Sequence, residues 1–483
     1  MAEQESVRLE RIPAPGPETS PERSDHDAEH GSSESPDESQ AAGRWESKAR
    51  RCVIIGGALS QLPIWGFAIN YGMFQEHYSS VDWDVHGSRD TTGVIGTTLN
   101  GVMYLSMPPL FALLSLRYAH LRRKVALAGT ALACASFLLS SWATQVWHLV
   151  ALQGVVAAFG GALVYSPLTL SVGEWFHGRN RAVALAVMLS CKNIVGSACP
   201  FMFGALLDRY GFRTTLRVWT AITAATSVLA VWLVPTHPSR TAAPEGGRHH
   251  HHQVVPWHFL RHPTIYVYGA ATMLQTAGYG IPQTYLNTYA HDAVKLSQTT
   301  ATLLLTLFNV PGIFASAFFG YLTDNRFRPV SSATATAISG VSASLSAFLL
   351  WGLTSQGSMA LLTLFSITFG FFAGGYSATW GGIINEMERE AASWNEAIDT
   401  GTVYGMLNGA RGLGYVAGGL AGVPLLKSGV VGPEGRFGYG TSYGPLIIFT
   451  GLSSIFGGWA ILWRGADVMR RVRGHGPRLG MAA

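Results

Sequence analysis

This sequence has little charge. Asp, Glu, Lys and Arg supply 13% of its 483 residues while 48% are hydrophobic, against roughly 25% charged in an ordinary soluble domain. So few polar side chains leave most of a folded surface without a hydrated covering, which excludes a water-soluble globule. The acidic side chains are concentrated in residues 1–50, so the chain beyond residue 51 is poorer in charge than the average suggests. The formal net charge of +5 is no mark of nucleic-acid binding, because the cations fall in short stretches between apolar segments and not on one basic face.

Cysteine is sparse too. Cys52, Cys134, Cys191 and Cys199 all lie in apolar segments, without CxxC spacing or a nearby histidine ligand. They read as small buried hydrophobes, and neither a metal centre nor a disulfide is expected. No apolar core precedes Cys52, so the first spanning segment is expected to direct its own insertion, with no cleavable leader. Asn-x-Ser/Thr sequons are lacking, in keeping with short external loops. A nucleophile, base and oxyanion-donor set is also missing, which disfavours an enzyme, and no cofactor is expected.

Long apolar runs are what the chain has in abundance. A helix needs about 20 mostly apolar residues to cross about 30 Å of hydrocarbon. Such runs cover 53–75, 93–115, 125–143, 147–171, 182–206, 215–235, 264–288, 300–322, 330–353, 359–383, 401–425 and 442–463. The expected fold is therefore an all-α membrane protein with twelve transmembrane helices in two six-helix bundles. The corresponding domains are a cytoplasmic tail (1–50), a first bundle (51–235), a polar linker (236–261), a second bundle (262–463) and a C-terminal tail (464–483). Within the first tail, 1–43 combine Pro, Ser, Glu and Asp with few aliphatics, too little apolar area to offset the entropy of ordering, and read as disordered. The linker holds His249–His252, which reads as solvated loop ahead of a metal site. Residues 256–261 suggest a short interfacial helix with Trp257 and Phe259 at headgroup depth. Lys and Arg concentrate in the connections on one side, which predicts both termini cytoplasmic. Arg209, Arg213 and Arg217 fall on the opposite side and read as a solvated rim.

Several pieces carry a family resemblance. Gly320-Tyr321-Leu322-Thr323-Asp324-Asn325-Arg326-Phe327-Arg328 resembles the GxLxDxxGRxx loop of the major facilitator superfamily, with Phe327 where the second glycine is usual. More specifically the chain resembles the monocarboxylate porter family, particularly its fungal branch. The matching stretches are Tyr71-Gly72-Met73-Phe74-Gln75, Gly154 to Pro167, Glu174-Trp175-Phe176, Arg179-Asn180-Arg181-Ala182, Leu207 to Arg213 and Tyr443-Gly444-Pro445-Leu446-Ile447. The resemblance implies two halves with a solute site between them at mid-membrane, and transport of small carboxylates, often with a proton; many fungal relatives carry other solutes or export products. Where family members often bear an Arg in the eighth span, about one turn before the loop glycine, this chain has Ser316, and Gly312 one turn earlier.

Ionisable residues deep in a bilayer are costly and so are functional candidates by default. At about 1.5 Å per residue, Lys192 lies roughly 16 Å beyond Arg181, near the midplane of the fifth span, and Arg411 lies at similar depth in the eleventh. Neither has an obvious carboxylate at matching depth, so an anionic solute would supply the missing countercharge, with Arg as a bidentate fork and Lys as a point charge. The alternative is structural: Lys192 bonded to carbonyls or water, Arg411 packing its helix. Asn70, Tyr71, Tyr165, Gln275, Tyr279, Gln283 and Tyr376, on the spans that line the path in this fold, and Asn309 on the eighth, are further candidates for orienting an oxygen-rich solute. With no buried carboxylate or histidine in view, a side-chain proton relay has no assigned residue.

A cytoplasmic gate is suggested by Glu386, Glu388 and Glu390 facing Arg122, Arg123 and Lys124, and by Asp324 facing Arg179 or Arg181, pairs that would break as the inner side opens. Exposed charges worth little are the competing reading. Glycine pairs such as Gly160-Gly161 and Gly418-Gly419 lack any GKS/T context and read as helix packing. Three functions stay open: a secondary transporter for a small organic anion, an exporter of a larger metabolite, and a nontransporting membrane sensor. The expected partners are a small solute, the bilayer and, for coupling, a proton; no nucleic acid is expected, and the chain is expected to be a monomer in the plasma membrane, with the vacuolar membrane as alternative.

Overall fold

The computed structural model describes residues 36–79, 85–87, 92–176, 179–235, 257–324, 330–355, 358–396, 398–431 and 437–466. Among these the chain is helical, and the sole extended pairing is an isolated bridge between His86 and Gln145. That follows from the composition: in hydrocarbon each backbone N–H and C=O must find a partner within its own segment, which a helix alone provides for a single span.

The helices are α1 (Pro36–Leu59), α2 (Gln61–Ile69), α3 (Tyr71–Ser79), α4 (Gly93–Ala112), α5 (Arg122–Ser140), α6 (Val146–Leu149), α7 (Ala157–Trp175), α8 (Arg179–Leu233), α9 (Pro263–Asp292), α10 (Gln298–Asp324), α11 (Ser332–Leu345), α12 (Met359–Gly375), α13 (Trp380–Ser393), α14 (Thr400–Lys427) and α15 (Gly444–Phe456). Among the described residues eight helical segments are long and apolar enough to cross a membrane. In α8 Gly211 adopts φ 70°, ψ 174°, breaking one run into two helices; a side chain is strained at that φ, and glycine is not. Large apolar residues on the outside, such as Trp232, Phe314 and Leu420, present the surface that lipid covers.

Besides a contact of α3 with α9, where Asn287 donates to Glu76, two longer seams among the described residues join the part of the chain before residue 236 to the part after 256. In the first, α14 lies along α4. Added Cβ atoms would meet Thr97 from Gly419 at 2.5 Å, the Leu105 nitrogen from Gly412 at 2.7 Å, and Pro108 from Gly409 at 2.5 Å. A side chain has no room at these positions, and at Gly412 the neighbour is backbone, which cannot turn aside. In the second, α8 meets α10: Thr306 Oγ1 donates to the Ser197 carbonyl at 3.2 Å, Asn309 Nδ2 to the Gly196 carbonyl at 3.3 Å and Ser190 Oγ to the Ile313 carbonyl at 3.3 Å.

Some expectations change. Helix α1 begins at Pro36, inside the stretch read as tail, because Glu38, Gln40, Ala41 and Ala42 are good helix formers running into the apolar segment. The short helix before α9 is a 3-10 turn, Trp257–Arg261, and Phe259 does not reach headgroups: it is fully buried against Ile383 and Met387. The His249–His252 run, the segment 236–256 and most of both tails lie outside the described residues.

Candidate functional site

Arg411 sits on α14 between Gly409, Gly412 and Gly414. Those bare positions let α4 and α9 approach: an added Cβ on Gly414 would meet the Met273 carbonyl of α9 at 2.4 Å, as that on Gly412 meets α4. The close approach brings aromatic rings from several helices onto one guanidinium. Its carbon lies 5.2 Å from the ring centre of Tyr104, 5.6 Å from Tyr279, 5.9 Å from Trp380 and 6.0 Å from Tyr415. Tyr415 follows Arg411 by one turn, so both side chains leave the same face of α14.

Lys192, on α8, reaches the same place from the other side. Its Nζ donates to Tyr104 Oη at 3.3 Å and lies 4.1 Å from the Trp65 ring centre. Tyr104 thus receives both cations, one on its hydroxyl and one beside its ring. Trp65 in turn packs edge-on to Tyr165 at 5.7 Å, and Tyr165 Oη and Tyr404 Oη are 3.1 Å apart, linking α7 to α14.

The electrostatics are one-sided. Among the described residues no carboxylate pairs with Lys192 or Arg411, although Arg411 is buried. Cation–π contacts, each worth about 0.5–2 kcal/mol, offset part of the cost of burying these charges. The Arg411 Nε and the indole N–H groups of Trp65 and Trp380 are buried without a hydrogen-bond partner. The cage therefore offers positive charge and donors, and its hydroxyls are its acceptors. A narrow recess beside Tyr415, lined by Tyr71, Asn100, Gln283 and Thr284, adjoins it between α2, α4 and α9.

Of the residues singled out in the sequence, Lys192, Arg411, Tyr279 and Tyr165 come together, and Gln283 joins by accepting from Tyr415 Oη at 3.0 Å. The others are occupied elsewhere. Asn70 bonds the Gly66 carbonyl of its own helix, Tyr71 the Thr92 carbonyl, Gln275 the Ala373 carbonyl and Tyr376 the Gly457 carbonyl, while Asn309 forms the α8–α10 seam. Each of these bonds satisfies a buried donor, although the Asn70 Oδ1 is buried without a hydrogen-bond partner. Tyr104, Tyr415, Trp65, Trp380 and Tyr404 are missed by sequence reasoning. Only Tyr415 has a signal, its spacing of one turn from Arg411.

The charge pairs expected between the halves are corrected by the structure. Arg122 forms a bidentate pair with Glu174 at 2.5 and 2.9 Å and also donates to the Leu114 and Ser115 carbonyls. Glu386 pairs with Arg464 at 3.2 Å and accepts from Tyr268. Glu390 pairs with His262 at 3.2 Å and accepts from Thr264. Each thus closes within its own part of the chain. Arg123, Lys124 and Glu388 are exposed. The side chains of Asp324, Arg179 and Arg181 lie outside the described residues.

Comparison with known proteins places this geometry in context. A family model described as the Major Facilitator Superfamily matches residues 53–419. The chain is 24% identical over 328 residues to the MFS-type transporter pynF of Aspergillus niger, covering 67% of this chain and 70% of that protein. It is 25% identical over 344 residues to Monocarboxylate transporter 12-B of Danio rerio, covering 65% and 67%. It is 22% identical over 334 residues to the Fujikurins efflux protein of Gibberella fujikuroi, covering 68% of each.

Proposed function

The chain belongs to the Major Facilitator Superfamily, and on that premise we propose that it is a secondary active transporter moving a small, monocarboxylate-like organic anion across a membrane by alternating access. The observation that carries this reading is the pair of cations, Lys192 and Arg411, meeting at Tyr104 with no carboxylate partner among the described residues. A buried guanidinium with a half-buried ammonium beside it is costly unless a negative guest completes the pair. Arg411 supplies the planar fork that suits a carboxylate, and Lys192 a compact charge beside it.

The architecture of the reading is twelve spans in two groups of six. Its support is the eight apolar helical segments, one of them broken into two at Gly211, together with α4, α9 and α14, whose 20, 30 and 28 residues have the length to cross. The bundles are 51–235 and 262–463, joined by a linker at 236–261, with both termini cytoplasmic, the monomer as the unit and the plasma membrane as the location. The glycine-lined α4–α14 seam and the α8–α10 seam are the surfaces that part as the halves rock. The site residues of this reading are Lys192, Arg411, Tyr104, Tyr279 and Tyr415.

Uptake by proteoliposomes across a panel of mono- and dicarboxylates, with and without a pH gradient, tests the reading and decides proton coupling. Accumulation of none of them would overturn it. A second reading, export of a larger fungal metabolite, is favoured by the name of one relative, the Fujikurins efflux protein; inside-out vesicles that load only product-sized anions would support it.

A further inference from the structure

Resting on the anion reading above, we propose that the guest carries its negative charge on a flat conjugated ring, so that the site selects aromatic carboxylates over saturated ones of equal size. The geometry behind this is the pair Tyr104 and Tyr415. Their ring centres are 5.5 Å apart and their planes differ by 6°, whereas the rings of Trp65 and Tyr104 are tilted by 37° and those of Trp65 and Tyr165 by 81°. Tyr104 stands on α4 and Tyr415 on α14, the two helices of the glycine seam. When that seam opens, the two faces separate as parallel plates.

A ring inserted between them would need contact distances of about 3.5–4 Å on each side, so the plates would have to part from the present 5.5 Å between ring centres to about 7–8 Å, a separation that opening of the seam would supply. A planar guest lies flush against both faces; a puckered saturated ring touches each at a few atoms only. Both plates are braced. Tyr415 Oη is tied to Gln283 at 3.0 Å, and Tyr104 Oη receives Lys192 at 3.3 Å. Both charges neighbour the stack: Arg411 lies 5.2 and 6.0 Å from the two ring centres, and Lys192 donates to the Tyr104 hydroxyl. A carboxylate in the plane of the ring would therefore meet Arg411 and Lys192 while the ring is sandwiched. The unpartnered N–H groups of Trp65, Trp380 and Arg411 favour a guest rich in acceptors over a plain hydrocarbon.

Two matched pairs of probes test this with the purified full-length protein: benzoate against cyclohexanecarboxylate, and 2-naphthoate against its fully saturated counterpart, with affinity read by quenching of tryptophan fluorescence and by thermal stabilisation. Aromatic contacts of this kind predict that the flat member binds about 3- to 10-fold more tightly. Tyr415→Leu and Tyr104→Leu should weaken both acids and bring the members of each pair to equal affinity, whereas Tyr104→Phe, which keeps the ring face, should keep the ratio. Equal affinity within each pair in the unaltered protein would overturn ring selection and leave the anion reading standing. A preference that survives both leucine variants would also overturn it, because the slot would not be its source. Binding of neither member of either pair would overturn both readings.

Discussion

Lys192 and Arg411, far apart in the chain, are joined by one tyrosine: the ammonium donates to the Tyr104 hydroxyl at 3.3 Å, and the guanidinium lies 5.2 Å from the centre of the same ring. Like charges gathered on one neutral group repel, a repulsion that the anion proposed above would relieve. The arrangement also spans the α4–α14 seam, so occupancy of the site and separation of the helices act on the same contacts.

Neutralising either cation should therefore weaken anion binding. Hydrogen bonds to charged groups are worth about 1.5–3 kcal/mol, so Lys192→Gln and Arg411→Gln should each raise the apparent Km by roughly 10- to 100-fold in variants that still reach the membrane. Arg411→Lys should restore little, because a point charge does not reproduce the bidentate fork. Unchanged transport in both glutamine variants would remove the pair from the site.

The same burial implies a conflict between stability and function. Arg411→Met keeps length and bulk while removing a buried charge that no carboxylate neutralises, an exchange that is often neutral or stabilising. The detergent-purified variant is expected to melt at the same or a higher temperature while losing anion transport. A clear fall in melting temperature would mean that the guanidinium holds the helices together.

At Arg122 the expectation is the reverse. Removing Glu174 leaves a mostly buried guanidinium without its bidentate partner, and Glu174→Gln should cost about 2 kcal/mol of stability, discounted for the partial exposure of the carboxylate. Exchanging the two charges, Arg122→Glu with Glu174→Arg, should recover part of that loss. If Glu174→Gln left thermal unfolding untouched, the pair would carry no structural weight.

Widening the glycine seam should trap the protein. In Gly412→Val the new side chain would collide with the α4 backbone near Leu105, which disfavours every state in which α4 and α14 touch. Transport should fall to near background even though both cations remain, and a cysteine introduced at Thr97 should label faster than in the Gly412 background. Slower or equal labelling would show that the helices part elsewhere.

How much of this is legible in the sequence depends on the kind of signal. Lys192 and Arg411 stand out because a charge inside an apolar run is visible without any knowledge of neighbours. Tyr104, Trp65 and Trp380 do not, because aromatic residues make up 11% of the chain and nothing along the sequence says which of them face a cation. The seven polar candidates and Asn309 illustrate the same limit. On α9 alone, Tyr279 faces Arg411 and Gln283 bonds Tyr415, while Gln275, of the same residue type as Gln283, bonds the Ala373 carbonyl. The pairings of Arg122 and Glu386 are hidden for a related reason, since their charges are obvious but their partners, Glu174 and Arg464, are chosen by proximity in space.

By itself the sequence determines that the chain is helical and lies in a bilayer, since each membrane-crossing helix satisfies its own backbone and so writes its length and apolarity into consecutive residues. The tertiary structure decides what the two cations touch. That depends on how far each helix is rotated and how near its neighbours come, and those distances are set at Gly409, Gly412 and Gly414, where the absence of a side chain lets α4 and α9 close upon Arg411.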